Sequence, residues 1–294
     1  MQISLKKGSL TAVADTMGGE LISMQDRHKT EYIWQGDGAY WSGRNPILFP
    51  IVGKLKDDRV MIHGTAYNMK QHGFARSKEF TPVAQGEDFV ELELRADAQT
   101  LAQYPFHFSL RVRHTLLKNG FDTQFCITNL DSLPMPYCIG AHTAYRCPLI
   151  AGEAFEDYQL IFEHTETAQT ILPYANGLWH DRREIALNHT DTIPLHHALY
   201  DRIDTLVFDG LQSKRVRLLH KTTKRGVEVS FSDFPMIAFW TMPHKNAPYI
   251  CIEPWQGCAA YDNESGRFED KPYCVTLQPQ QARTLHYTVT ILQP

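Results

Sequence analysis

The sequence has little net charge, no long apolar run and no clustered metal ligands, and each shortage removes a class of function. Its formal charge of -4 and pI near 6.4 leave no basic footprint, so neither nucleic acid nor an anionic membrane surface is an expected partner. A small neutral ligand fits better. No stretch approaches the length of a membrane span, and the opening MQISLKKGSLTAVADTMGGEL lacks the apolar core of a signal peptide. The cytoplasm is the expected location. The six cysteines (Cys126, Cys138, Cys147, Cys251, Cys258, Cys274) are scattered with no C-x-x-C spacing, which predicts buried reduced thiols and no disulfide frame. The fourteen histidines form no H-E-x-x-H and no paired His/Cys cluster, and the adjacent His196 and His197 point apart on any regular element, so no metal and no cofactor is expected.

What the chain does have is apolar material in short pieces. Hydrophobic residues make up 43% and aromatics 11%, enough for a large core. With no internal repeat or low-complexity linker, residues 1–294 read as a single domain. Alternating or apolar runs recur between Gly, Asp and Asn turns from ISLKKGSLTAVAD onward. VMIHGTAYNM reads as a hairpin turning at His63-Gly64, and FVELELRAD as a strand ending at Asp97. FHFSLRVRHTLL and GFDTQFCITNL form a longer hairpin across Lys118-Asn119-Gly120. Only AQTLAQY looks helical, stopping before Pro105. From Leu149 to Tyr200 the pattern is polar and irregular, with YQLIFEHTET as a strand and NGLWHDRREIAL as loop or strand-turn. Strands then return to the end. The expected fold is all-β: two large antiparallel sheets packed as a sandwich.

The run APYICIEPWQG, residues 247–257, is a buried-type strand with a carboxylate inside it. At period two, Tyr249, Cys251, Glu253 and Trp255 share one face, and Ile250 and Ile252 the other. Glu253 is therefore either an ordinary salt-bridged acid or one held in a cleft for function. His142 poses the same choice in YCIGAHTAY. Between Gly140 and Ala144 its imidazole would have open space beside it, which suits a proton donor next to a ligand as well as a core histidine. Arg44 precedes an apolar run broken by Pro46 and Pro50, a loop or sheet edge, and is either a surface charge or a fork of donors to sugar hydroxyls or carboxylates. In QHGFAR, His72 and Arg76 stand on a turn that Gly73 permits, as surface residues or ligand contacts.

Taken in order, NPILFPIVGKL, HGFAR, YPFHFSL, MPYCIGAHTAY, DTLVF and APYICIEPWQG resemble the aldose 1-epimerase (galactose mutarotase) superfamily, and most closely its LacX-like, galactose-mutarotase-related branch. The resemblance spans about residues 40–260, and it implies a galactose mutarotase-like supersandwich and a sugar substrate. It assigns His142 as general acid on the ring oxygen and Glu253 as general base for the anomeric hydroxyl. It matches Arg44 and His72 to the residues that hold and polarise the sugar, and Asp204, with Asp201 and Asp209 nearby, to a hydroxyl-binding aspartate. Trp255, by strand parity with Glu253, is expected to stack on the apolar face of a pyranose. Thr143, Lys54 and Ala260 depart from the family pattern at positions flanking its motifs. Anomer exchange needs one acid and one base, with Glu253 ionised and His142 protonated, the latter favoured by Glu253 and the former by Arg44 or His72. Three alternatives stay open: a glycoside hydrolase using Glu253 and Asp204, a non-catalytic sugar binder, and an epimerase of a sugar phosphate gathered by Lys54, Arg76 or Arg146. The sequence does not encode the oligomeric state.

Overall fold

The alternating strands build an antiparallel β-sandwich, seen in a computed structural model that describes residues 1–174 and 176–293. A nine-stranded sheet runs in the order Trp179–Pro194, Tyr158–Pro173, Arg215–His220, Gly226–Ser230, Ala282–Leu292, Gly120–Asn129, Phe108–Leu117, Phe89–Arg95 and Thr81–Gln85. A six-stranded sheet packs on it, ordered Thr205–Asp209, Met236–Trp240, Tyr249–Gln256, Ile139–Ala141 and Ile47–Leu48, with Thr143–Arg146 also paired to Tyr249–Gln256. A third sheet, Gln2–Lys7, Leu10–Asp15 and Glu20–Gln25, lies at one side. Strands such as Phe89–Arg95 bury every second residue, as a half-buried sheet requires. Leu110, Val112, Phe125, Leu285 and Val289 of the large sheet share one core with Ile237, Phe239, Ile250 and Ile252 of the smaller.

Local chemistry accounts for the turns. His63 and Gly64 both take positive φ, +47° and +76°, the geometry of a two-residue hairpin whose twist matches its strands, here Arg59–Ile62 and Thr65–Asn68. The short helix Ala98–Leu101 is closed by a capping box in which the Thr100 N–H donates to Asp97 Oδ1 at 2.7 Å and the Asp97 N–H to Thr100 Oγ1 at 2.8 Å. All six cysteines are free, and no helix among the described residues is long and apolar enough to cross a membrane.

The segment 149–200, expected to be largely irregular, instead carries a hairpin of two 16-residue strands, Tyr158–Pro173 and Trp179–Pro194, and a helix, His197–Ile203. The pattern is hidden for two reasons. Much of the hairpin is exposed, so its residues are polar, and four register shifts along the pair interrupt the two-residue period.

Candidate active site

The strand Tyr249–Gln256 is buried at every position, because it lies between two apolar layers. Ile250 and Ile252 face the main core, while Tyr249 and Cys251 join Trp34, Ala144 and Ala247 in a second cluster that Trp41, Trp240 and Met242 extend. Glu253 follows on that second face. Across from it, Gly140 pairs with Trp255 and Thr143 with Ile252, so an unbroken register sets His142 directly opposite Glu253. Their side chains meet: His142 Nε2 lies 3.2 Å from Glu253 Oε2, with the two residues 7% and 1% exposed.

Both line a cleft of about 340 Å³, together with His72, Asp204 and Trp255. Both Glu253 oxygens, His142 Nδ1 and Trp255 Nε1 are buried without a hydrogen-bond partner. Buried polar groups are nearly always satisfied, so polar atoms this poorly satisfied around one cleft mark a place suited to a polar ligand, even with Trp255 close enough to Glu253 to act on its carboxyl. Burial pushes the His142 imidazole down to about 3, with Arg76 acting in the same direction. Burial also raises the Glu253 carboxyl well above its ordinary value, Trp255 opposing and Asp204 reinforcing the shift. The expected ion pair is thus corrected. Desolvation favours the neutral partners, and it is Arg76 that acts on His142, with no contribution from Arg44 to either group.

His72 sits at φ +67° in a loop where Gly73 passes so near Phe49 that a Cβ would lie 2.2 Å from its carbonyl oxygen. The Gly53 N–H donates to His72 Nδ1 at 3.1 Å, which leaves Nε2 of the neutral ring to carry the proton, beside the Gln71 side-chain amide at 3.3 Å. Burial lowers the pKa of His72 well below normal, so the ring is neutral. Its ring lies 5.6 Å from that of His142, nearly perpendicular to it. Asp204 caps the helix His197–Ile203 at φ +62°, and its Oδ2 accepts from Thr205 Oγ1 at 2.7 Å. The two neighbouring aspartates are engaged elsewhere. Asp201 accepts the His244 N–H at 2.6 Å, and Asp209 is held by Arg183 and by the Tyr273 hydroxyl at 2.6 Å.

Two further expectations change. Arg44 does not line the cleft; its side chain packs over Gly36, where a Cβ would stand 3.2 Å from Nε. The space beside Gly140 is not left for a ligand either, since the Trp255 ring fills it, 2.8 Å from where a Cβ would be. Of the flanking departures, Lys54 lines the cleft, whereas Thr143 turns into the core and donates to Asn45 at 2.7 Å. Arg76 lines the cleft and Arg146 does not. Sequence reasoning singled out one tryptophan, but Trp41, Trp179 and Trp240 line the cleft as well, four of the five in the chain. Trp41 and Trp240 lie 4.9 and 5.6 Å from the His142 ring, and Trp179 lies 6.3 Å from Trp255. No spacing in the sequence groups them, since Trp41 lies in a loop and Trp179, Trp240 and Trp255 on three different strands.

His142, Cys251 and Glu253 also bring donor atoms within 4.8 Å of one another, a nitrogen, sulfur and oxygen set of the type zinc accepts. Spacing hid this trio because His142 comes from another strand. Burial and Glu253 hold the Cys251 thiol well above its usual range, so it keeps its proton and ligates poorly.

A family profile for aldose 1-epimerase matches residues 1–290. Two proteins of Lactococcus lactis subsp. lactis, the plasmid and the chromosomal Protein LacX, are each 36% identical over 303 residues, covering 99% of this chain and 100% of theirs. The fold is similar to that of a galactose mutarotase related enzyme from Lactobacillus acidophilus, with a TM-score of 0.94 and 28% identity over 100% of this chain and 98% of that one. It is equally similar to a galactose mutarotase-like protein from Lactobacillus casei, with a TM-score of 0.93 and 28% identity over 99% and 100% of the two chains. On these grounds the chain belongs to the aldose 1-epimerase family.

Proposed function

We propose that this protein is a mutarotase, interconverting the α and β anomers of a hexose such as galactose or glucose by acid–base ring opening and reclosure. The observation that carries the reading is the placement of His142 opposite Glu253, 3.2 Å apart at the cleft, with polar atoms of both lacking partners. Ring opening takes the proton from the C1 hydroxyl and gives one to the ring oxygen. Those two oxygens are bonded to the same carbon, so an acid and a base serving them must converge closely. This pair does. Glu253 acts as base on the C1 hydroxyl and His142 as acid on the ring oxygen; the C1–ring oxygen bond breaks, the aldehyde turns about C1–C2, and both transfers reverse.

Burial opposes an isolated carboxylate and an isolated imidazolium alike, so the pair holds one proton between its members. The neutral arrangement is that of the empty cleft; with sugar bound the shared proton sits on His142, which leaves Glu253 ionised as the base. His72, through its Nε2–H, and Asp204, as an acceptor, orient sugar hydroxyls. Trp255 and Trp179 cover the apolar face of the ring. A hydrolase using Glu253 and Asp204 would leave His142 without work at the position where the register sets it against Glu253.

Polarimetry of freshly dissolved α-D-galactose and α-D-glucose tests the reading. The protein accelerates the approach to equilibrium rotation, and Glu253→Gln does not. A rate equal to the spontaneous one for both sugars refutes mutarotation of the free hexose.

A further inference from the structure

Away from the cleft, Cys138, Cys258 and Cys274 gather close enough to act on one another. A short ladder pairs Met135–Tyr137 with Val275–Leu277, Tyr137 against Val275, and the same register carried one residue further sets Cys138 opposite Cys274. Their backbone N–H groups turn elsewhere: that of Cys138 donates to the Pro50 carbonyl at 2.7 Å, and that of Cys274 to the Lys271 carbonyl at 3.1 Å. A facing pair without mutual backbone bonds takes the closer antiparallel spacing, about 4.5 Å between Cα atoms, inside the range of roughly 4.4–6.8 Å that a disulfide spans. The thiols themselves meet. A hydrogen bond from the Cys274 S–H to the Cys138 sulfur holds Cys138 below the ordinary thiol value and Cys274 above it, and the Lys271 ammonium and the Val52 N–H also favour a thiolate at Cys138. Cys138 is fully buried, whereas Cys274 is partly exposed and gives a small oxidant its way in. The third thiol, Cys258, lies 3.7 Å from the Pro272 carbonyl oxygen, and burial pushes it up, so it keeps its proton.

Backbone links this pair to the cleft. Val52 donates to the Cys138 sulfur, and the next residue, Gly53, grips His72 twice: its N–H donates to Nδ1 at 3.1 Å, and its carbonyl accepts the His72 N–H at 2.9 Å. Gly257 passes so near that a Cβ there would stand 2.7 Å from the Cys138 sulfur, which leaves the sulfur no slack. We infer that Cys138 and Cys274 form a reversible redox site, closed to a disulfide by hydrogen peroxide, and that closure weakens the hold of His72 on the sugar. The second half rests on the mutarotase reading. Peroxide passes one oxygen to the first sulfur, giving a sulfenic acid and water. The second sulfur then attacks the sulfenyl sulfur and expels hydroxide, which leaves as water with the proton that the second thiol gives up. The two thiols lose two electrons, which the breaking O–O bond accepts, and an external dithiol returns both electrons and both protons. Closure removes the charge from the Cys138 sulfur and draws it toward Cys274, so the bond from Val52 weakens and Gly53 shifts with it.

The test treats the native protein, Cys274→Ser and Cys258→Ser with hydrogen peroxide and then with dithiothreitol. Thiol titration should show two thiols lost, and peptide mapping by mass spectrometry a cross-link between residues 138 and 274. Dithiothreitol should undo both. The cross-link is expected in Cys258→Ser and not in Cys274→Ser. Tryptophan quenching follows sugar binding independently of turnover, and oxidation is expected to raise Kd about fivefold, the scale of one hydrogen bond, in the native protein but not in Cys274→Ser. Failure to cross-link, or a cross-link through Cys258 instead, overturns the inference. A 138–274 cross-link with unchanged Kd overturns the link to His72. None of these outcomes touches the mutarotase reading, whereas a cross-linking protein that binds sugar but accelerates no anomer exchange overturns that reading and keeps the redox site.

Discussion

Glu253 and His142 are each an ionisable residue inside an otherwise apolar strand, and each is buried where an ordinary acid or histidine would not stay charged. Replacing either with glutamine is expected to lower kcat by about 10²- to 10⁴-fold while sugar still quenches tryptophan fluorescence. The pair also dictates a pH profile. Its single proton is joined by a second only below the lowered His142 value of about 3, and is lost only as pH rises through the raised Glu253 value. Mutarotase activity should therefore hold through pH 5 to 6, where an ordinary histidine near 6.5 would titrate, and its basic limb should reflect Glu253. A limb near 6.5 that vanishes in His142→Gln would contradict the assignment. EDTA is expected to leave the rate unchanged, because proton transfer within the pair needs no ion; a loss restored by zinc would reassign His142, Cys251 and Glu253 as ligands. Glu253 and His142 were legible as lining residues because each is polar inside an apolar run, Trp255 because of strand parity and His72 because it stands on the Gly73 turn; Asp204 was legible only through the family resemblance. Arg44, which the resemblance matched to a sugar-holding residue, packs over Gly36 and does not line the cleft, and no local pattern says which way a loop arginine turns.

At the scale of the element, the site depends on two strands keeping one register. Gly140 pairs with Trp255, and its missing side chain leaves the space the indole occupies at the cleft. Gly140→Ala is expected to push that ring away, costing about 1–3 kcal/mol of stability. A lower urea midpoint together with a raised KM for sugar would show both effects, and an unchanged KM would remove Trp255 from the sugar site. The same two strands explain what could be foreseen of the site and what could not. Parity within Tyr249–Gln256 put Glu253 and Trp255 on one face from the sequence alone, but the alignment of residue 142 with residue 253 is a property of pairing across 111 positions. The long hairpin that supplies Trp179 was obscured by its bulges and by its solvent-facing polar residues.

Across the whole molecule, His114 ties the nine-stranded sheet to the small side sheet. Its Nδ1 lies 2.8 Å from Thr123 Oγ1, and its Nε2 lies 2.9 Å from the carbonyl oxygen of Gly19. A neutral ring satisfies both, accepting from the hydroxyl and donating to the carbonyl. Burial lowers its pKa to about 4. The unfolded chain takes up this proton near 6.5, so the stability is present above that pH and is lost as pH falls from 6.5 toward 4, on the order of 3 kcal/mol in all. His114→Gln should flatten the acid side of the urea-midpoint curve, and a curve of unchanged slope would deny the linkage. The sandwich class was legible because nearly every strand alternates or is wholly apolar between turns. Sheet order was not, because neighbours such as Gly120 and Thr290 lie far apart in sequence. That last pairing also bears on how the protein is made. The strand Ala282–Leu292 sits inside the nine-stranded sheet, between Gly226–Ser230 and Gly120–Asn129, rather than at its edge. During synthesis the two flanks of the sheet, with the strands of the catalytic pair already made, must wait on the ribosome for a centrepiece translated after them.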